Sequence, residues 1–428
     1  MVATGTPALH LCVGLDWATE HHALTVYTLD GAVVARFQVP ATPQGYAELV
    51  HRLRTLGGNR PVGLCLEASR GQLFSALLPQ EFLYFYPLNP KCASRLRELF
   101  KADPGKTDPT DADLLGLFLV HNWRQLRPWG PEDPLTRRLQ TLVEFEQTWI
   151  GRQTALTNQL RARLLLYFPQ ALAVSADLDS PLVLEFLRRW PSLAAAQGAG
   201  AGQLRRLFAA HLRHPAEVAA QVETLRQAPP LTTDPAIVEP LAEEVQALVA
   251  ALAAGRERLA QLRRQIDQLF DQHPDAPIFK SFPGVGPKLG PRLLAYVGTD
   301  RARFATAGDL LAFGGAAPVT EASGKKSGKH RLVRRRRGCH KALRHTLHLW
   351  ARASLQRGTW AHALFTRGLE QSMKRPALYR VLAYKWGRIL FACWQHRIPY
   401  DPDRYHQALR DHGSWLAAEL APAPAAAR

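Results

Sequence analysis

Short hydrophobic runs separated by turn signals dominate the first 120 residues, a pattern typical of buried β-strands. Five such runs span residues 9–17, 22–29, 32–39, 61–68 and 82–88. Asp30-Gly31, between the second and third runs, is a strong hairpin signal. Residues 42–56 have apolar positions at helical spacing. The pattern therefore predicts the order strand, strand, strand, helix, strand, helix, strand, helix.

From residue 134 to about residue 270 the periodicity becomes helical, with interruptions at residues 194–203 and 227–235. Beyond the second interruption, apolar residues follow the alternating four-three spacing of a heptad seam: Leu241, Val245, Leu248, Leu252, Leu259, Leu262, Ile266 and Leu269. Only Gly255 breaks this seam. We expect a coiled coil or helical hairpin arm, whose seam closes either on its own domain or against a second copy.

The pattern changes again in residues 277–399, which are mixed in character and strongly basic. A chain of 428 residues is expected to form more than one core. The predicted division is an α/β domain (residues 1–130), a helical and coiled-coil region (131–275), a mostly α-helical domain (276–412) and a disordered tail rich in Ala and Pro (413–428).

The charge of the chain narrows the choice of partner. There are 54 Lys and Arg against 36 Asp and Glu, a formal net charge of +18, which favours nucleic acid because bound phosphates release counterions. Five cysteines, odd in number and without a CxxC pair, argue against a disulfide framework and a zinc site. No signal-peptide pattern or uninterrupted membrane span is found, so a cytoplasmic protein is expected.

Four carboxylates lie within eleven residues of this basic chain: Asp103, Asp108, Asp111 and Asp113. Helix capping explains the cluster by itself, with Asp108 as N-cap, Pro109 at the first helical position and Asp111 in the first turn. A phosphodiester-cleaving site with two divalent ions instead needs three or four converging carboxylates, because Mg²⁺ and Mn²⁺ prefer oxygen ligands.

The predicted strand order supplies partners for two of these acids. It is the order of a ribonuclease H-like fold, in which the first and fourth strands are neighbours at the centre of the sheet. Those strands end at Asp16 and Glu67. Asp108 and Asp111 are three residues apart and share a helix face. The predicted metal-binding set is therefore Asp16, Glu67, Asp108 and Asp111, and the other two acids of the cluster are expected to be solvated and tolerant of substitution.

Residues 282–298 have the form of a helix-hairpin-helix. Gly284 and Gly286 would let backbone N–H groups approach a phosphate at the start of the second helix, and Lys288 and Arg292 add positive charge. The alternative is an ordinary corner between two helices, since a single Gly-x-Gly is weak evidence.

A dense run of cations follows in residues 318–345, a segment with no acid after Glu321. Its members predicted to contact nucleic acid are Lys325, Lys326, Lys329, Arg331, Arg334, Arg335, Arg336, Arg337, Lys341 and Arg344. An apolar helical pattern comes directly after the run, which therefore belongs to a folded element and not to a free arm. Ser323 and Ser327 each precede a glycine within it, which alone indicates a turn or a helix cap.

Three segments resemble the DEDD transposases of insertion sequences, whose N-terminal domain is similar to RuvC-type Holliday-junction resolvases. They are "VGLDWA", "CLEAS" and "KTDPTDADLLG", which contain Asp16, Glu67, Asp108 and Asp111. The third is the most specific, since it matches the family pattern Lys-Thr-Asp-x-x-Asp-Ala. The resemblance implies that these four acids bind Mg²⁺ or Mn²⁺.

The second half resembles the same family in "GGAAPVTEASGKK". This similarity places Ser323 at the family's nucleophile position, although Ala322 stands where many members have glutamine, and Ser327 is the fallback. A serine that attacks a DNA phosphate forms a covalent phosphoserine ester and conserves the bond energy for rejoining. No residue stands out as the general base.

The resemblance further implies particular partners. These are donor and target DNA, a structured guide (bridge) RNA, and further copies of the chain in a homodimer that assembles into a tetramer. Two other functions fit the residues alone. One is a metal-dependent junction resolvase or nuclease in which water attacks, and the other is a non-catalytic nucleic-acid-binding protein.

Overall fold

The protein is represented by a computed structural model that describes residues 8–67, 71–100, 111–211, 214–322, 331–334 and 336–419. The chain divides into two compact units, Met1–Glu132 and Asp133–Arg428. The predicted helical region and the predicted C-terminal domain both lie in the second unit. None of the helices described is both long and apolar enough to cross a bilayer.

The first unit is built on one mixed sheet in the order β3-β2-β1-β4-β5. Its strands are β1 (Leu11–Asp16), β2 (His21–Tyr27), β3 (Val33–Pro40), β4 (Val62–Leu66) and β5 (Leu83–Pro87). β2 is antiparallel to β1 and β3, while β4 is parallel to β1 and β5. Its helices are α1 (Pro43–Gly57), α2 (Gln72–Leu77), α3 (Pro90–Phe100) and α4 (Asp111–Asn122). The predicted order of elements is confirmed, and the sheet has the topology expected of a ribonuclease H-like domain.

Both faces of the sheet centre are covered, which explains the unbroken apolar run of β1. Val13 and Leu15 belong to one core cluster with Leu49 of α1. Cys12, which points the other way, belongs to a second cluster with Leu119 of α4. A strand buried on both faces needs apolar residues at successive positions, not only at alternate ones.

Two glycines let α4 lie directly against β1. A side chain at Gly14 of β1 would overlap the backbone of Ala112 and Gly116, and a Cβ at Gly116 would lie 2.5 Å from a ring carbon of Tyr27. Close backbone approach of this kind requires glycine. It brings the first residue of α4 to the sheet end where β1 finishes.

The second unit is mainly helical. Its helices are α5 (Pro134–Tyr167), α6 (Pro181–Arg189), α7 (Leu193–Gly198), α8 (Ala201–Ala209), α9 (Pro215–Gln227), α10 (Pro235–Asp271), α11 (Ala276–Lys280), α12 (Gly286–Val297), α13 (Ala307–Phe313), α14 (Lys341–Ala353), α15 (Trp360–Glu370), α16 (Arg375–His396), α17 (Pro402–Asp411) and α18 (Trp415–Glu419). Short 3₁₀ turns occupy Pro169–Ala173 and Arg301–Arg303.

The heptad seam lies on α10 and closes against α5 of the same chain. Its residues from Val245 to Leu269 are buried. Gly255 has a packing reason, because a side chain there would overlap the amide of Gln153. Gln153 Nε2 in turn donates a hydrogen bond to the carbonyl of Leu252, 3.0 Å away. Of the two closures considered for this seam, the structure has the intrachain one.

A two-stranded ribbon interrupts the helices of the second unit, and the sequence analysis did not predict it. β6 (Val319–Ala322) pairs antiparallel with β7 (Arg331–Arg334), and Ala322 lies opposite Arg331. The ribbon holds together the two ends of the segment 323–330, which lies outside the described residues.

The predicted disordered tail is wrong in its first part. Trp415–Glu419 form α18, which packs against α15 and α17. Leu416 is buried in the core of the second unit. Residues 420–428 lie outside those described.

Candidate active site and nucleic-acid interface

Two of the predicted acids end neighbouring parallel strands. Asp16 is the last residue of β1, and Glu67 follows the last residue of β4. The two strands are in register at this end, with Leu15 opposite Leu66. Parallel strands finish at the same edge of a sheet, so the two carboxyl groups lie side by side there.

A third predicted acid comes to the same edge on α4. Asp111 is the first residue of this helix as described, and the contact of Gly14 with Ala112 and Gly116 brings it close to the end of β1. Asp108, the fourth predicted acid and the proposed N-cap, lies outside the described residues, as do Asp103 and Pro109.

Arg97 of α3 joins two of these acids. Its Nη2 donates to Glu67 Oε1, and its Nε donates to Asp111 Oδ1 at 2.8 Å. The side chains of Arg97, Glu67 and Asp111 are 31%, 21% and 33% exposed, so water reaches all three. The sequence analysis did not single out Arg97, because one arginine on a polar helix face gives no distinguishing signal.

The charges of all four groups act on one another. Burial raises the pKa of Asp16, the negative charges of Asp111 and Glu67 raise it further, and Arg97 lowers it. Asp16, Glu67 and Asp111 therefore form one electrostatic cluster, although they are separated by up to about a hundred residues along the chain.

The chemistry of this cluster suits a hard divalent cation, since every carboxylate ligand is an oxygen donor. Within the part of the chain that the structure describes, however, no three His, Cys, Asp or Glu side chains are placed to hold one metal ion. Arg97 pairs with both Glu67 and Asp111. The donor set fits the implied Mg²⁺ or Mn²⁺, while the described arrangement has an arginine as the counter-charge.

The expectation that Asp113 is a solvated bystander is wrong. Asp113 is only 7% exposed, and its Oδ1 accepts hydrogen bonds from the Tyr27 hydroxyl at 3.0 Å and from Arg36 Nε at 3.1 Å. Burial and the bond to Asp113 raise the pKa of Tyr27 to about 12. Asp113 instead links α4 to β2 and β3.

The predicted helix-hairpin-helix consists of α11 and α12. Gly286 and Lys288 are exposed at the start of α12, which suits a phosphate contact. Gly284 has a packing reason of its own, since its φ is +76° and a side chain there would overlap the backbone of Ala353, while its predicted phosphate contact stays a prediction. Its glycine is therefore required for packing inside the second unit.

The prediction that Arg292 contacts nucleic acid is wrong. Its side chain is only 8% exposed, and its Nη2 lies 2.9 Å from Glu146 Oε2. Glu146, 4% exposed, also accepts from Arg263 Nε at 3.1 Å. Arg292 is thus a buried ion-pair partner that ties α12 to α5. Its helical position gave no sign of this, because Glu146 lies far away in the sequence.

The basic run is described only in part. Lys325, Lys326, Lys329 and Arg335 lie outside the described residues, and of Arg331 and Arg334 only the backbone, in β7, is described. Arg337 and Lys341 are exposed, while Arg336 and Arg344 are half-buried. Exposed Arg337 and Lys341 suit contact with an anionic partner, whereas Arg344 Nη1 lies 3.4 Å from Cys339 Sγ.

Both candidate serines fall in the segment between β6 and β7, outside the described residues. Ser323 follows the last residue of β6, and Ser327 lies in the middle of the segment. The choice between them therefore stays a prediction. The ribbon itself had no periodic sequence signal, because neither "VTEA" nor "RLVR" alternates apolar with polar residues.

Comparison with known proteins covers both units. Residues 13–169 match the IS110-type DEDD domain model described as a transposase, and residues 276–366 match that described as transposase, IS116/IS110/IS902 family. The first match spans all four predicted acids, and the second spans both serines and the helix-hairpin-helix.

Individual relatives match over most of the chain. A mini-circle putative transposase for IS117 from Streptomyces coelicolor is 30% identical over 409 residues, which are 93% of this chain and 97% of the relative. An uncharacterized 43.6 kDa protein of insertion element IS110 from the same organism is 29% identical, over 70% of this chain and 72% of its own. An uncharacterized 42 kDa protein of insertion element IS900 from Mycobacterium paratuberculosis is 26% identical, over 91% and 96%. The chain therefore belongs to the IS110/IS116/IS902 family of transposases and is an IS110-type DEDD transposase.

Proposed function

We propose that this transposase cuts and rejoins DNA through a covalent bond between Ser323 and a DNA phosphate, with a divalent ion bound by Asp16, Glu67, Asp108 and Asp111. The observation that carries the proposal is the meeting of Asp16, Glu67 and Asp111 at one sheet edge, from β1, β4 and α4. Capping explains acids at a helix start, but it does not explain why two strand ends contribute carboxylates to the same place.

The acids would hold Mg²⁺ or Mn²⁺ through their carboxylate oxygens. When bound, such an ion supplies positive charge that polarises the attacked phosphate and stabilises the leaving oxygen. The protein's own contribution is to keep the oxygens at the sheet edge, which β1, β4 and the close packing of α4 do before any ligand arrives.

The proposed bond change is a transesterification. Ser323 Oγ forms a bond to the phosphorus as the bond from phosphorus to a deoxyribose oxygen breaks, and the serine proton leaves to a base that the chain does not reveal. The departing oxygen takes up a proton in turn. The ester keeps the bond energy, so a second hydroxyl can displace the serine and reseal the strand without ATP.

Cations of the second unit would hold the DNA backbone. Lys288 and Gly286 at the start of α12, together with Arg337 and Lys341, are exposed and suit phosphate contacts. The remaining cations of the basic run stay in the proposal with the same role. Gly284 keeps its proposed role through its backbone N–H, whereas Arg292 is removed from the proposal by its burial.

A structured guide RNA and assembly of homodimers into a tetramer complete the proposal, and the net charge of +18 suits two nucleic-acid partners at once. Sequencing the RNA that co-purifies with the protein tests the first part. The expected result is one RNA species encoded in the DNA that flanks the gene. A profile no different from that of a purified unrelated basic protein would contradict it.

The serine is tested by looking for a protein–DNA adduct. The gene with its flanking DNA is expressed from a plasmid, and complexes that survive denaturing detergent are isolated and digested to a nucleotide–peptide. We expect wild type and Ser327→Ala to form the adduct, with the nucleotide on residue 323, and Ser323→Ala to form none. An adduct lost only in Ser327→Ala would assign the fallback serine. DNA cleavage that depends on metal but gives no adduct in any variant would favour attack by water.

A further inference from the structure

We propose that Arg97 is the resident counter-cation of the acidic site and competes with the divalent ion for the same carboxylate oxygens. The site would therefore take up metal only as Arg97 gives up Glu67 and Asp111. This inference rests on the proposed metal-binding role of the acids. It assigns a positioning role to a residue of α3 that lies outside the four acids.

The guanidinium of Arg97 bonds to two of the acids at once. Arg97 uses two different nitrogens, Nη2 for Glu67 and Nε for Asp111, so one side chain bridges acids from two elements. Each carboxylate offers a limited number of lone pairs, and an oxygen that accepts a charged N–H is a poorer ligand for a cation. Two of the three described acids are engaged in this way.

Charge supports the same inference. Asp16, Glu67 and Asp111 together bring three carboxylates to one sheet edge, and Arg97 pairs with two of them. Without a positive charge at this place the carboxylates would repel one another. A divalent ion would relieve the same repulsion, so the two cations are alternatives.

The ion pairs of Arg97 are accessible to solvent. Arg97, Glu67 and Asp111 keep between a fifth and a third of their side-chain surface in water. Ion pairs of this exposure are weak, and their partners can be solvated when they separate. The contact is thus suited to exchange, unlike a buried pair that is fixed by packing.

Manganese binding to the full-length protein tests the inference, with bound Mn²⁺ counted by electron paramagnetic resonance. Two variants are compared. Arg97→Gln keeps a polar, hydrogen-bonding side chain but removes the charge. Arg97→Lys keeps the charge but lacks the two nitrogens that reach both acids. Arg95→Gln is the matched control, because Arg95 is exposed on the same helix. Asp16→Asn identifies the binding that belongs to this site.

We expect Arg97→Gln to bind Mn²⁺ about three- to tenfold more tightly than wild type, from the loss of two weak ion pairs. Arg97→Lys should fall between the two, and Arg95→Gln should equal wild type. If Arg97→Gln binds Mn²⁺ as wild type does, or more weakly, while Asp16→Asn abolishes binding, the inference is wrong and the proposed metal site stands. If none of the proteins binds Mn²⁺ in an Asp16-dependent way, both are wrong.

Discussion

Arg97 and Arg292 each pair with carboxylates from distant parts of the chain, yet the two clusters differ in how much water reaches them. In the first unit, Arg97, Glu67 and Asp111 are 21–33% exposed. In the second unit, Arg292 and Glu146 are 8% and 4% exposed, and Arg292 donates hydrogen bonds from Nε and Nη2 to Glu146 Oε2. The first cluster can exchange partners, whereas the second holds three helices together.

Burial, more than charge, therefore distinguishes an ion pair that can take part in a functional site from one that only holds helices together. When a buried ion pair is broken, one charge remains uncompensated and out of reach of water. When a solvent-exposed pair is broken, water hydrates both charges in place of the lost contact. Sequence charge alone assigned Arg292 to nucleic acid and passed over Arg97.

The largest effect is expected from Glu146→Gln. This change removes the charge that compensates buried Arg292 and also the partner of Arg263. We expect a loss of about 3–5 kcal/mol in the free energy of unfolding of the second unit, measured by urea denaturation. Glu67→Gln is the matched change in the wetted cluster, and it should cost less than about 1 kcal/mol. Equal losses from the two changes would remove the distinction.

Asp113→Asn and Asp111→Asn repeat the comparison within one helix turn. Asp113 accepts two hydrogen bonds and is buried, so its change should cost about 1–3 kcal/mol, while Asp111→Asn should cost less than about 1 kcal/mol. Thermal unfolding of both variants measures this. Activity should show the opposite order, with Asp111→Asn the more damaging. If Asp113→Asn lost almost no stability, Asp113 would instead be the solvated residue that the sequence predicted.

Gly255→Ala extends the comparison to an uncharged buried contact. Alanine usually stabilises a helix interior relative to glycine by about 1 kcal/mol, but here its methyl group would overlap Gln153. We expect a net loss of about 1–3 kcal/mol in urea denaturation. In a Gln153→Ala background, the same change should become neutral or stabilising. A gain in stability from Gly255→Ala alone would show that α5 and α10 do not pack as described.

Lys288→Ala should have the smallest effect on stability and a clear one on DNA binding. Lys288 is exposed at the start of α12, one turn before buried Arg292. We expect the melting temperature to be unchanged, the affinity for duplex DNA to fall several-fold, and the slope of log affinity against log salt to decrease by about one. Lys280→Ala is a useful control, because Lys280 already pairs with Asp271 at 2.6 Å. The hairpin would lose its assigned role if both variants bound DNA like wild type.

Much of the first unit could be predicted because its signals are local. The apolar runs that form the strands, the hairpin turn at Asp30-Gly31, and the ends of two runs at Asp16 and Glu67 can be found without knowledge of distant partners. Once the strand order is set, the meeting of these two acids follows. The start of α4 near them could be expected from the family pattern alone.

What was missed depends on contacts between residues far apart in the sequence. Asp113 is buried by Tyr27 and Arg36, and Arg292 by Glu146, and none of these partners lies within reach of a periodicity argument. The β6–β7 ribbon has strands of four residues each, and neither strand alternates apolar with polar residues. Ser323 stays a prediction, because it lies outside the described residues.

The most direct test of the account is DNA adduct formation by Asp16→Asn. The variant keeps the size of the side chain at the end of β1 and removes one charge from the cluster. With Mg²⁺ present and the melting temperature equal to that of wild type, we expect the covalent protein–DNA adduct to be lost or reduced at least about a hundredfold. Adduct formation at the wild-type level would contradict the claim that the acids of β1, β4 and α4 form the active site.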